Sequence, residues 1–148
     1  MTEVDSFFDQ YAKTVFEKDL EGFLALFDEK VYVFDMWGTW LYEGLAAWRS
    51  MVADWFGSLG AERVAVTFDD RRITTAGDMA LATAFVTFTA LSAEGEKLRS
   101  LQNRLSWTLQ KKNGQWKIIH EHTSAPIQHD TGRAVLRRPE QKEPCRCE

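Results

Sequence analysis

The chain has 148 residues, 45% of them hydrophobic and 13% aromatic, enough for one substantial core and too little for a second domain. Its 22 acidic and 18 basic residues give a formal charge of -4 and are mixed along the chain without a basic block, so nucleic acid is not an expected partner. The start is acidic and no run of eighteen apolar residues occurs, so neither a leader peptide nor a membrane span is read and a cytoplasmic location is expected.

From Val4 the apolar residues recur at Phe7, Phe8, Tyr11, Ala12, Val15 and Phe16, the spacing of a helix with one buried face. Asp19 is placed to cap a second, short helix with Leu20, Phe23, Leu24 and Phe27 on one side, so the two form a hairpin. Val31–Trp37 is β-branched and aromatic until Gly38 interrupts it, and reads as a short strand and a loop. After Gly44, Leu45, Trp48, Met51, Val52, Trp55, Phe56 and Leu59 fall at helical intervals up to Gly60.

The period then changes to that of strands. Arg63–Thr75, Met79–Leu91, Leu98–Lys111 and Gln115–Ser124 are rich in Val, Thr, Ile, Phe and Trp, separated by Gly77, Gly95 and Asn113-Gly114. Helices first and a four-strand antiparallel meander afterwards is an α+β arrangement, with three N-terminal helices packed on a curved, mostly antiparallel sheet. Residues 128–148 are polar and read as a flexible tail; Cys145 and Cys147 lie there, too close to the end to set a disulfide framework. His120-Glu121-His122 spaces two imidazoles on one strand face and could begin a metal site, but no third ligand is near, so no metal is expected.

Asn113-Gly114 is a two-residue turn signal that sets a register, with Lys112 opposite Gln115, Leu109 opposite Ile118, Trp107 opposite His120 and Leu105 opposite His122. One face of this hairpin is then mostly apolar. The other carries Arg104, Ser106, Thr108 and Gln110 opposite Lys117, Ile119, Glu121 and Thr123, with a diagonal Arg104–Glu121 pair. Two readings follow. In one, the polar face meets solvent; in the other, it lines a pocket under the helices and the apolar face meets a second subunit.

The element order and the ending Gly114-Gln-Trp116-Lys-Ile-Ile-His-Glu-His122-Thr-Ser124 resemble the nuclear transport factor 2-like superfamily over about residues 3–127, including its SnoaL-like and ketosteroid isomerase-like groups. That ending is also similar to the association domain of calcium/calmodulin-dependent protein kinase II. The resemblance implies a cone-shaped, cystatin-like fold around an internal pocket. The stretch Tyr11–Gly38 resembles the start of the ketosteroid isomerases without gaps, which puts Tyr11 at that family's oxyanion-binding tyrosine and Asp35 at its proton-shuttling aspartate. The isomerases add a protonated aspartic acid on the strand before the last turn, and counting back from Gly114 places Ser106 there.

The same count makes Thr123 pocket-facing, with Glu121, Ser106 and Arg104 beside it, Arg104 as the anchor for an acidic ligand and Trp37 as part of an apolar wall. The resemblance thus implies a small-molecule pocket protein, a cofactor-independent isomerase, dehydratase or cyclase working through Asp35 and Tyr11, or alternatively a non-catalytic ligand-sensing or oligomerisation module. A homodimer is expected through the outer sheet face, formed by Leu105, Trp107, Leu109, Trp116 and Ile118.

Overall fold

A computed structural model describes residues 3–139. The helix α1 (Ser6–Glu17) buries Phe7, Phe8, Tyr11 and Val15, the stripe its spacing predicts. It stops at Lys18, whose left-handed φ of 54° lets its backbone N–H reach back into the last turn, and whose Nζ donates to the carbonyls of Gly60 and Glu62. Asp19 caps α2 (Leu20–Leu24) by accepting from the Gly22 N–H at 3.0 Å.

The strand β1 (Phe27–Phe34) begins four residues before the sequence reading places it, and the two-residue β2 (Tyr42–Glu43) pairs with it after the Gly38 loop. Then come α3 (Leu45–Ser58), β3 (Arg63–Ala76), β4 (Met79–Leu91), β5 (Lys97–Lys112) and β6 (Gln115–Ser124). The sheet runs β2-β1-β6-β5-β4-β3, and only β1 and β6 are parallel. This is the expected α+β meander with helices against one sheet face. Alternation along β4 puts Ala80, Ala82 and Ala84 inward, where their small side chains leave room for the fully buried Trp107 stacked on Phe8 at 4.9 Å.

The last hairpin departs from the expected register at one residue. Asn113 and Gly114 both take positive φ and form the tight turn, and Lys112–Gln115 through Leu109–Ile118 pair as read from the sequence. Ile119 is then left out of the pairing: Thr108 faces His120, Trp107 faces Glu121 and Leu105 faces Thr123. One extra residue in a ladder exchanges the two faces of everything beyond it. Glu121 and Thr123 therefore share the inner face with Leu105, Trp107 and Leu109, while His120, His122, Ser106 and Arg104 are on the outer one.

Both sequence readings of the hairpin are thus half right. The apolar set packs under the helices, which corrects the outer patch expected at Leu105, Trp107, Leu109 and Ile118: each is at most 1% exposed. The outer face instead presents Tyr32, Phe34, Met79 and Leu81, with Tyr32 stacked on His120 at 4.2 Å.

The chain beyond Pro126 returns to the domain. Ile127 bridges Ala134, the Leu136 carbonyl accepts from Gln102 N–H at 2.7 Å, and Arg138 lies over the Phe85 ring at 4.0 Å. Cys145 and Cys147 lie outside the described residues. No helix among the described residues is long and apolar enough to cross a membrane.

Candidate functional site

The space between α1, α3 and the inner sheet face is not filled. It holds a cavity of about 650 Å³ whose walls include Trp48, Met51, Trp55, Val64, Phe88 and Leu101, with the acids Tyr11, Asp35 and Glu121 among them. A cavity of this size takes a small organic molecule with several rings.

Three elements deliver the three acids. Tyr11 comes from the buried stripe of α1, where its ring packs edge-on against Phe23 and Phe68. Asp35 follows the last residue of β1, where the alternation that buries Val31 and Val33 turns it inward. Glu121 comes from β6, turned inward by the Ile119 bulge, and is 2% exposed.

Their environments set them apart. Burial pushes the Glu121 carboxyl up to about 8; the hydrogen bond its Oε1 accepts from Trp107 Nε1 at 2.8 Å opposes this, and the Asp35 charge adds to it. Asp35 is also raised by desolvation, but two donors hold its carboxylate: Trp37 N–H at 3.3 Å and Thr123 Oγ1 at 3.2 Å. Burial carries the Tyr11 phenol well above its ordinary value, and the charges of Glu121 and Asp35 raise it further. At neutral pH the site therefore holds a neutral carboxylic acid and a neutral phenol near a carboxylate.

Of the residues expected here, Tyr11, Asp35, Glu121, Thr123 and Trp37 line the cavity. Thr123 also braces the site, since its Oγ1 accepts from the Met36 N–H at 3.0 Å while donating to Asp35, which fixes the chain after β1. Trp37 stands at the rim, 52% exposed. Arg104 and Ser106 do not line it. The bulge places both on the outer face, where Arg104 Nε donates to Ser124 Oγ at 3.0 Å, and the Arg104–Glu121 pair does not form.

Two wall residues, Trp48 and Asn103, are not visible as site residues in the sequence. Trp48 reads there only as one member of the α3 apolar stripe. Asn103 shares its parity with Leu105 and Trp107, a signal that becomes readable once the inner face is known.

No curated protein matches the chain. Among solved structures it is similar to an NTF2-like protein from Pseudomonas putida KT2440, at 22% identity over 96% of this chain and 94% of that one, with a TM-score of 0.79. It is also similar to a protein from Xanthomonas campestris assigned as a calcium/calmodulin dependent protein kinase II association domain, at 18% identity, 84% and 86% coverage and a TM-score of 0.71. A protein with a cystatin-like fold from Nostoc punctiforme PCC 73102 matches at 17% identity, 82% and 86% coverage and a TM-score of 0.65. At these identities the likeness is one of fold, and it agrees with the α+β, cystatin-like architecture. The family model of the SnoaL-like domain matches residues 4–128, and the chain belongs to that family.

Proposed function

We propose that the protein binds a small, largely apolar carbonyl compound in this cavity and moves a proton on it without a cofactor, as an isomerase, dehydratase or cyclase. The observation that carries this is the convergence of Tyr11, Asp35 and Glu121 on one apolar cavity with their proton affinities spread apart. Sites that pair a neutral acid with an ionised one assign their own acid and base roles.

In this reading Asp35 is the base. Its carboxylate takes a proton from the carbon next to the substrate carbonyl, and the C–H electron pair becomes the new C=C bond of an enolate. The carbonyl oxygen gains the charge. Glu121, whose Oε1 is occupied by Trp107, donates from the protonated Oε2, and the Tyr11 hydroxyl is the second donor. The proton then returns to a different carbon, or the enolate expels a β-hydroxyl as water, or it attacks a second carbonyl; each ending conserves electrons without an oxidant. Glu121 supplies the protonated carboxyl that the sequence reading sought at Ser106.

The test is the conversion of cyclohex-3-enone to cyclohex-2-enone, followed by ultraviolet absorbance, together with a panel of larger enones and keto acids. A positioned general base contributes roughly 10²–10⁴ in rate, so Asp35→Asn should lose that much with any substrate turned over. Equal rates for the wild type and this variant across the panel refute the proposal.

We also propose a homodimer through the outer sheet face, now resting on Tyr32, Phe34, Met79 and Leu81, each 39–49% exposed. Sedimentation at micromolar concentration tests it, and a monomer there excludes it.

A further inference from the structure

Two side chains of the cavity wall each carry a polar atom that has no part in the proton-transfer scheme. Among the described residues, the buried side-chain atoms without a hydrogen-bond partner are Trp48 Nε1 and Asn103 Oδ1. Both side chains line the cavity, and they are 2% and 7% exposed. Native interiors leave few such atoms unpaired, because a buried group that loses water and gains no partner bears its full desolvation cost.

The two are of opposite kind. An indole N–H only donates, and an amide carbonyl only accepts. They also come from different walls. Trp48 sits in the first turn of α3, its ring flanked by Phe27 at 5.9 Å and Tyr42 at 5.6 Å. Asn103 lies on β5 opposite Val86, and its Nδ2 donates to Met36 Sδ at 3.2 Å, which fixes the amide and leaves Oδ1 unpaired.

Asn103 is tied to the acids as well. Met36, which accepts from Asn103, donates its own N–H to Thr123, and Thr123 donates to Asp35. The side chains between the two walls, such as Met51, Trp55 and Phe88, offer apolar surface.

We infer that Trp48 and Asn103 are specificity-determining residues: apart from the group on which the acids act, the ligand carries a hydrogen-bond acceptor for Trp48 Nε1 and a hydroxyl or N–H donor for Asn103 Oδ1, on a flat apolar body. This rests on the reading of the cavity as a small-molecule site and not on proton transfer. A wall with paired polar atoms only would select by shape; this one rejects a ligand of the right shape that leaves the two atoms unpaired.

Four compounds with one skeleton test it: naphthalene, 2-acetylnaphthalene, 2-naphthol and 6-hydroxy-2-acetylnaphthalene. Their dissociation constants are measured on the wild type, Trp48→Phe and Asn103→Leu. The bifunctional compound should bind at least tenfold tighter than naphthalene. Trp48→Phe should lose about tenfold for the two ketones with naphthalene unchanged, and Asn103→Leu about tenfold for the two hydroxyl compounds.

An independent reading uses the unmodified protein, so a variant that fails to fold does not decide the matter. The indole N–H resonance of Trp48 should lie further downfield with the ketones than with naphthalene and 2-naphthol, whose rings shift it without a hydrogen bond. Equal affinities for all four compounds, with the indole resonance the same for ketones and non-ketones, overturn the inference and leave the small-molecule reading standing. Losses that are the same for naphthalene as for the ketones also overturn it, since they report shape alone. Binding of none of the four removes the small-molecule reading and the inference together.

Discussion

Replacing Glu121 with Gln tests the central electrostatic claim without needing a substrate. The amide has the same shape and keeps an oxygen to accept from Trp107 Nε1, so what it removes is the ability to ionise. In the folded protein the carboxyl titrates at about 8, against an ordinary value of 4.5. Between those two values the folded state holds a proton that the unfolded chain has released, so stability is full below 4.5 and declines as pH rises toward 8. With each unit worth about 1.4 kcal/mol, the wild type should lose about 3–4 kcal/mol from this group between pH 5 and pH 8. The Gln variant should lose none of it. Urea unfolding of both proteins across that range is the assay, because every other titrating group is common to the pair and cancels in the difference. Glu121→Gln should therefore gain on the wild type steadily as pH rises, by a total of about 3–4 kcal/mol. A difference that stays constant across the range would mean that Glu121 ionises normally, and its part as a neutral donor would fall.

Asp35→Asn removes the like charge that helps raise Glu121, so the Glu121 titration followed by carboxyl carbon NMR should move below 8; an unmoved midpoint would show that the two groups do not share one site. Arg104→Ala should change stability by less than about 0.5 kcal/mol and leave cavity binding unaffected, since the side chain is exposed on the outer face; a tenfold loss in binding of an acidic ligand would restore the sequence reading. Asp19→Ala removes the cap of α2 and should cost about 1 kcal/mol in urea unfolding, with no cost if the Gly22 N–H is satisfied otherwise. Deleting Ile119 removes the unpaired residue and lets Thr108–His120, Trp107–Glu121 and Leu105–Thr123 follow Leu109–Ile118 in a regular ladder, so unfolding should stay cooperative and the Glu121 carboxyl should still titrate well above its ordinary value; an ordinary Glu121 titration in the deletion would show that the faces had exchanged.

The fold was legible because it is written in periods. The α1 stripe of Phe7, Phe8, Tyr11 and Val15, the turn at Asn113-Gly114 and the strand runs between glycines each have a local physical cause, and each reappears in place. Tyr11 and Asp35 were legible for a different reason: both lie within Tyr11–Gly38, the stretch that the resemblance carries without gaps, and both line the cavity. The faces of the last hairpin were not legible. A bulge has no composition signal in Lys117-Ile-Ile-His120, where either isoleucine is as good a strand residue as the other, and what selects it is long-range.

With the bulge, the β6 side chains turned toward the core after Ile118 are Glu121 and Thr123; without it they are His120 and His122, which in the structure meet Tyr32 and Phe34 outside. Packing alone gives a weak preference between these, and burying Glu121 is unfavourable once it ionises. A fold chosen for stability at neutral pH has a less costly residue available at that position. That the chain gives up a ladder residue to hold a carboxyl in an apolar wall, where its proton is retained to about 8, is the strongest argument that position 121 serves chemistry and not the core.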